Sequence, residues 1–295
     1  MQLTLLFLGD LHGRLDRLPR AFSAIASLRA RATEAGGASF LVCTGDTVDR
    51  TIATAARTGG RVALPVLEAM GVQALTPGNH DADWGAAAFT RWIASARFPV
   101  LLANVGPAAG GHWPGAQPSL VLDLGGRRIG LLGLSTVMLA NALGQAAVYE
   151  SPAAAVAREA TALRAQGAST VIALSHLGYA FGPDVAHWLP PDADTDVRLA
   201  EAGVDLDAIV GGHTHTFLEP PVRIGKTVIA HAGINVDVVG ELMLDLGDDG
   251  AVTAWGGRLH SIDARWPIDP TISAVLELAL EEAERIAPIL ADKEP

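Results

Sequence analysis

Pro77-Gly78-Asn79-His80-Asp81-Ala82-Asp83 sits between a short apolar run, Gly71-Val72-Gln73-Ala74-Leu75, and a helix-like run over residues 84–96. It reads as a strand-to-helix turn whose Asn, His and Asp side chains can ligate a metal or move a proton. Asn and Asp are also ordinary turn residues, so one such turn decides nothing. Four other strand ends carry the same cargo. Residues 3–8 run into Gly9-Asp10-Leu11-His12-Gly13, and residues 40–44 into Gly45-Asp46-Thr47-Val48-Asp49-Arg50. Residues 170–174 run into Ser175-His176, and residues 208–210 into Gly211-Gly212-His213-Thr214-His215. In open α/β sheets, sites form at the carboxyl ends of strands.

Outward from that turn the chain alternates. Residues 16–32 carry Leu18, Phe22, Ile25 and Leu28 at helical spacing, a polar loop over 45–60 leads to a short helix near 64–70, and a strand is expected over 100–103. This βαβ rhythm favours a mostly parallel sheet covered by helices. An antiparallel element then enters, because residues 119–124 and 127–134 flank Gly125-Gly126, a two-residue hairpin turn. Helices over 152–166 and 196–202 precede the two later His-bearing strands, and residues 222–260 read as a strand meander with turns at Gly225-Lys226 and Asp248-Asp249-Gly250. An amphipathic helix follows, with Asp269 as its N-cap and Pro270 at its first position. The expected fold is α/β (α+β): a four-layer αββα sandwich of two mixed β-sheets flanked by helices.

At 295 residues, 49% of them apolar, the chain has a substantial Ala, Leu and Val core and room for one large domain or two small ones. A formal charge of −11 argues against a nucleic-acid polymer or an anionic membrane as partner, since both need a basic surface. A small phosphorylated substrate remains compatible, because a bound metal dominates its local field. The single cysteine, Cys43, excludes an intramolecular disulfide framework and a cysteine zinc site. The first ten residues are apolar without a basic leader or a small-residue cleavage site, and read as a strand rather than a signal peptide. No run approaches the ~18 apolar residues of a membrane span. The expected compartment is cytoplasmic.

The candidate ligands are Asp10, His12, Asp46, Asn79, His176, His213 and His215. Seven oxygen and nitrogen ligands without a thiolate exceed one tetrahedral zinc and suit two divalent ions sharing a bridging carboxylate. Period-two alternation in an extended segment predicts that His213 and His215 point the same way, as do Asp10 and His12. Glycines just before the ligands let the backbone approach an ion closely.

These blocks resemble the calcineurin-like metallophosphoesterases, whose pattern is D-x-H, G-D-x-x-D, G-N-H-[DE], a lone H and G-H-x-H. Each block is present, in order, from Asp10 to His215. The 5'-nucleotidase branch is the most similar. Asn79-His80-Asp81-Ala82-Asp83 is similar to its N-H-E-x-D element, Leu102-Ala103-Asn104 to the A-N that follows it, and residues 233–250 to its closing strands.

The resemblance implies one metal held by Asp10, His12, Asp46 and His215, and a second by Asp46, Asn79, His176 and His213, with Asp46 bridging. Mn, Zn, Fe, Co and Ni all suit such ligands. It further implies in-line attack on phosphorus by a hydroxide between two divalent ions. His80 would stabilise the transition state or protonate the leaving oxygen, and Asp83 would orient the ring and raise its pKa, or cap the following helix. Arg50 and Asn104 are the implied substrate-binding residues, Arg50 because G-D-x-x-D-R is nearer the phosphoprotein phosphatases, where the Arg grips phosphate.

By the same resemblance, residues 1–265 form the catalytic domain and residues 266–295 a helix like the linker to a nucleoside-binding domain. Nucleotide specificity stays open, because the sequence stops at Pro295 without that domain. Two stretches are expected to wall the site: residues 178–195, with Tyr179, Phe181, His187 and Trp188, and residues 106–118, with His112 and Trp113. His231 and His260 read as structural. The expected activity is hydrolysis of a small phosphate monoester, with a nucleotide among the candidates. The alternatives are a cyclic-nucleotide or other phosphodiesterase, a thiosulfate-ester hydrolase that would be exported, and a binding scaffold without catalysis.

Overall fold

The strand β1 (Gln2–Leu8) shows how sequence becomes layer in this computed structural model, which describes residues 1–124, 126–179, 189 and 193–291, the last five without their side chains. Leu3, Leu5 and Phe7 face a second sheet, whereas Leu6 and Leu8 face helices. That is the alternation a pleated strand imposes when both of its faces are buried.

Along the chain follow α1 (Leu18–Glu34), β2 (Ala38–Cys43), α2 (Ala53–Thr58), α3 (Leu64–Ala69), β3 (Val72–Leu75) and α4 (Gly85–Ser95). Next are β4 (Val105–Pro107), β5 (Ser119–Leu124), β6 (Arg127–Ser135), α5 (Val137–Leu143), β7 (Ala147–Tyr149), α6 (Pro152–Ala165) and β8 (Thr170–His176). The chain continues with α7 (Asp196–Glu201), β9 (Ala208–Gly211), β10 (Val222–Ile224), β11 (Thr227–His231), β12 (Val238–Leu246), β13 (Val252–Ser261) and α8 (Pro270–Ala291).

One sheet has the order β13-β12-β1-β2-β3 and the other β10-β11-β9-β8-β6-β5, with β4 and β7 pairing separately. The strands that lead to the candidate ligands are mutually parallel: β1, β2 and β3 in the first sheet, β8 and β9 in the second. Leu5, Phe40, Leu131, Ile172, Val210 and Leu242 meet between the sheets. The outer face of the first sheet is covered by α1, α3, α4 and α8, and that of the second by α6 and α7. The four-layer αββα order is therefore as expected. α8 begins as predicted, with the Thr271 and Ile272 amides each donating to Asp269 Oδ1 at 2.9 Å, and it docks through Ile272, Leu276, Ala279 and Ala283.

Three local expectations fail. The loop over 45–60 contains α2, an Ala-rich turn of good helix formers closed by Gly59 at φ 59°. Residues 100–103 form no strand. Leu101 N donates to Leu75 O of the first sheet, and Ala103 N to Gly133 O of the second, so this segment crosses between sheets. The crossing is tight, since a Cβ on Gly133 would lie 2.1 Å from Leu101 O. The 222–260 meander is also split, β10 and β11 joining the second sheet and β12 and β13 the first. Between them Gly233, Asn235 and Val236 adopt φ of 68°, 63° and 55°. Among the described residues no helix is long and apolar enough to cross a membrane.

Candidate metal centre

The loops after β1 and β2 are zipped together: Asp10 N donates to Gly45 O at 3.0 Å, His12 N to Asp46 O at 3.0 Å and Gly13 N to Thr47 O at 3.1 Å. The turn after β3 is tied to them by Asp81, which is 1% exposed. Its carboxylate accepts from Asp46 N (2.9 Å), Gly78 N (2.8 Å), Thr47 N (3.0 Å) and Thr47 Oγ1 (2.6 Å). The loop after β9 joins through His213 N, which donates to both oxygens of Asp10 at 3.1 and 3.0 Å.

This packing gathers the ligand candidates into two groups. Asp10, His12 and His215 form one, Asp46, His176 and His213 the other, and within each group the donor atoms lie within 4.8 Å of one another. Asp46 stands between the groups, its Oδ2 3.1 Å from His176 Nε2 and 3.9 Å from His12 Nε2. Asn79 Oδ1 is buried without a hydrogen-bond partner. Donor atoms that share a cation at about 2.1 Å stand roughly 3–3.5 Å apart, close to these separations. An orphaned carbonyl oxygen, four imidazoles free of thiolate neighbours and a carboxylate between the groups fit a pair of divalent ions.

Two mechanisms orient the rings. His176 Nδ1 faces the carbonyl of Thr44, and His12 Nδ1 lies 3.3 Å from Asp49 Oδ2, so each ring turns Nε2 toward the cluster. Asp49 was not assigned a role from sequence, although its place in G-D-x-x-D was visible. Asp81 was likewise missed: only the fold reveals that its carboxylate points back at two loops rather than at the ligands.

The expected period-two geometry does not hold. Asp10, His12, Asp46, His213 and His215 have φ of 49°, 44°, 48°, 82° and 55°, so the ligand segments are left-handed loops and not extended strands. Each such residue costs about 1–2 kcal/mol, and Asp and His are among the residues that tolerate it. One result is that His213 and His215 serve different groups.

His80 stands beside the cluster, its ring 5.2 Å from that of His12. Its Nδ1 pairs with Asp83 Oδ2 at 2.9 Å. Asp83 also accepts from Arg50 N at 3.1 Å and from the Arg50 guanidinium at 3.2 Å. The cap for α4 is Trp84, without a side-chain bond, so Asp83 does not cap that helix. Arg50 is 70% exposed at the rim and holds Asp83. Asn104 has its place in the fold fixed by the backbone of β6. It is buried, donating to Ser135 O and accepting from Ser135 N at 2.8 Å each, and it braces the crossing segment against the end of β6.

Trp113 also belongs to the core, 5.3 Å from Phe89 with Nε1 donating to Thr90 Oγ1, while His112 is exposed. Phe181, His187 and Trp188 lie outside the described residues. His231 and His260 are paired with Asp196 and Glu241 at 2.8 Å each.

The electrostatics separate the histidines by role. Burial pushes His12 down, His213 down to about 3 and His215 down to about 4, favouring the neutral imidazole that ligates metals. The hydrogen bond that its Nδ1 donates to Asp83 instead lifts His80 to about 9, keeping a proton on it at neutral pH. His176 is the exception among the candidate ligands. Burial opposes its charge, but Asp46 and Asp10 overcome that and raise it to about 10. Its Nε2 thus sits where a proton and a cation compete. Burial raises Asp10 to about 7, and Asp46 is held low because His176 outweighs its own desolvation.

Residues 3–217 match the family model for calcineurin-like phosphoesterases. A 5'-nucleotidase of Diplobatis ommata is 29% identical over 241 residues, covering 74% of this chain and 38% of that protein. A 5'-nucleotidase precursor from Thermus thermophilus superposes with a TM-score of 0.79 at 22% identity, over 97% of this chain and 59% of that one. The sulfate thiohydrolase SoxB of the same organism superposes with a TM-score of 0.78 at 18% identity, over 96% and 61%. The chain therefore spans less than two thirds of the length of these relatives, and the superpositions speak for the fold.

Proposed function

The chain belongs to the calcineurin-like phosphoesterase family, and on that premise we propose that it is a metal-dependent hydrolase of a small phosphate monoester, a nucleoside 5'-monophosphate first among the candidates. One observation carries the reading: Asp46 lies between two separate ligand groups contributed by four strand ends. Asp10, His12, Asp46 and His215 would hold one divalent ion, and Asp46, Asn79, His176 and His213 the other. When bound, such a pair supplies charge neutralisation at the phosphoryl oxygens and acidifies a water molecule.

The other steps belong to the chain itself. His80 carries its proton on Nε2, the nitrogen turned away from Asp83, and gives it to the leaving oxygen or neutralises charge there. Asp83 fixes the ring and holds the proton in place. Arg50 fixes Asp83, and its exposed guanidinium stands at the rim where a phosphate oxygen would pass. Residues 1–265 are the catalytic unit in this reading, with the C-terminal helix docked against it. The nucleotide preference is supported by the 5'-nucleotidase relative.

The test is turnover of p-nitrophenyl phosphate, nucleoside monophosphates, cyclic nucleotides, sugar phosphates and a thiosulfate ester by protein reconstituted with Mn²⁺, against the same protein in EDTA. Metal-dependent release of phosphate, fastest from a nucleoside 5'-monophosphate, is the expected result. No turnover with Mn²⁺, Zn²⁺, Co²⁺, Ni²⁺ or Fe²⁺ would leave a binding scaffold. Preference for a cyclic or sulfur ester would reassign the substrate.

A further inference from the structure

Behind the cluster lies a second set of polar side chains that neither ligates nor reaches the His80 side. Asp196, at the first position of α7, is 0% exposed. It accepts from Ser175 Oγ at 2.5 Å and from His231 Nε2 at 2.8 Å, and both partners are also at most 1% exposed. Three separate elements therefore meet at one carboxylate: the end of β8, the start of α7 and the end of β11. Burying a carboxylate this completely is costly unless each oxygen is paired. Stability alone is poorly served by such a choice, since an apolar trio of the same volume would do as well.

The partners of this trio are the backbones that present two ligands. Ser175 immediately precedes His176, its hydroxyl accepts from Leu177 N at 3.1 Å, and its carbonyl accepts from Gly212 N at 3.0 Å. The Asp196–His231 pair presses on Gly211, where an added Cβ would lie 2.3 Å from Asp196 Oδ2 and 2.2 Å from His231 Nε2. Gly212 follows, its own Cβ position 3.1 Å from His176 Nδ1 and 2.9 Å from Asp10 Oδ2. Next in the chain is His213. Asp196 N also donates to Gly178 O at 2.9 Å, and Tyr179 N donates to Thr214 Oγ1 at 2.8 Å, so the segment after His176 and the segment after His213 are held together on this side too.

We propose that Asp196, clamped between Ser175 and His231, is a positioning residue for the metal held by Asp46, Asn79, His176 and His213. It sets the separation of the β8 and β9 ends and so the placement of His176 against His213. In the other group, Asp10 and His12 are placed by the zipped first and second loops and by Asp49, none of which the Asp196 trio touches, and only His215 shares the β9 loop, four residues beyond Gly211. The inference rests on the two-ion reading above and goes beyond it by predicting that one ion is sensitive to Asp196 and the other is not.

The test is a calorimetric Mn²⁺ titration of metal-stripped full-length protein, for the wild type, D196N, H231Q and S175A, with melting temperatures in EDTA measured alongside. E159Q serves as the control, because Glu159 is a buried carboxylate that accepts from Ser119 Oγ at 2.6 Å far from the ligands in the chain. Two Mn²⁺ sites are expected in the wild type. D196N should weaken one of them ten- to a hundredfold, the range seen when the support of a ligand is removed, and leave the other within about threefold. H231Q and S175A should weaken the same site less, and E159Q should lower only the melting temperature. Should D196N fail to fold, H231Q and S175A carry the test. Variants that melt earlier yet bind both ions like the wild type would show a purely structural trio and overturn the inference while sparing the proposed function. A wild-type chain that takes up no Mn²⁺ would overturn both.

Discussion

Gly78→Ala is the sharpest single perturbation of this centre. An added Cβ would lie 2.1 Å from Asp46 Oδ1 and 2.6 Å from both Cε1 and Nε2 of His176. Ordinary carbon–oxygen contact begins near 3.3 Å, so the oxygen must retreat by about 1 Å. It cannot retreat freely, because Asp46 is 1% exposed and Oδ1 accepts from His80 N at 2.7 Å. Overpacking of this kind costs about 1–3 kcal/mol, a fall of roughly 2–6 °C in melting temperature for a chain this size. The metal site should suffer more. Coordination distances hold to about 0.2 Å, and the displaced carboxylate is the one standing between both ligand groups. We expect G78A to fold, to melt a few degrees earlier in EDTA and to lose at least ~100-fold in Mn²⁺ affinity by calorimetry. Gly256→Ala is the control, since its Cβ would meet only Met243 Cε at 3.6 Å. If G78A binds Mn²⁺ as the wild type does, Asp46 is not the shared ligand and the two-ion reading is wrong.

Three further outcomes follow from the same geometry. His80→Asn should lower kcat on p-nitrophenyl phosphate by about 10²–10⁴ while Mn²⁺ affinity stays within a few-fold; a parallel loss of metal would make His80 a ligand instead. Asp81→Ala strands the amides of Asp46, Thr47 and Gly78 and the Thr47 hydroxyl, which should cost roughly 3–5 kcal/mol in urea unfolding, and a loss below about 1 kcal/mol would contradict the staple role. Asp205, paired with Arg164 and Lys226, is held at about 2 against 3.8 unfolded. Its contribution is therefore present above pH 3.8 and disappears as the pH falls through 2. Because the carboxylate is 46% exposed, screening limits that contribution to about 1 kcal/mol or less, so D205N should destabilise slightly at pH 7 and match the wild type near pH 2.

The layers were legible, and the candidate ligands could be picked out, because both are written in short-range patterns. Buried strands announce themselves by runs such as Phe40 to Cys43, and each candidate ligand lies at the end of such a run or within a few residues of it. What could not be read was conformation that no local rule fixes. His213-Thr214-His215 has the spacing of two side chains on one face of a strand, yet both histidines are left-handed and serve opposite groups. Leu102-Ala103-Asn104 overlaps the stretch where a strand was expected. The segment crosses between sheets instead, and the amide of Asn104 pairs with the backbone of Ser135, a pairing separated by 31 positions that only the tertiary fold creates. α2 was hidden in a stretch called polar by its neighbours, although Ala53 to Thr58 has good helix formers.

The departures from local preference are themselves informative. Of the seven non-glycine residues with positive φ among those described, five are Asp10, His12, Asp46, His213 and His215. At about 1–2 kcal/mol each, their combined cost is comparable to the whole net stability of a typical domain. A protein selected only for its fold would place glycine or asparagine there. Glycine would be freer in the backbone but would bring no donor atom, and the donors are what these five residues share. Strain gathered on donor-bearing side chains, stapled by Asp81 and backed by Asp196, is what a preorganised ion site requires: the rings and carboxylates are held together before any cation arrives, and the cation's binding energy offsets the strain.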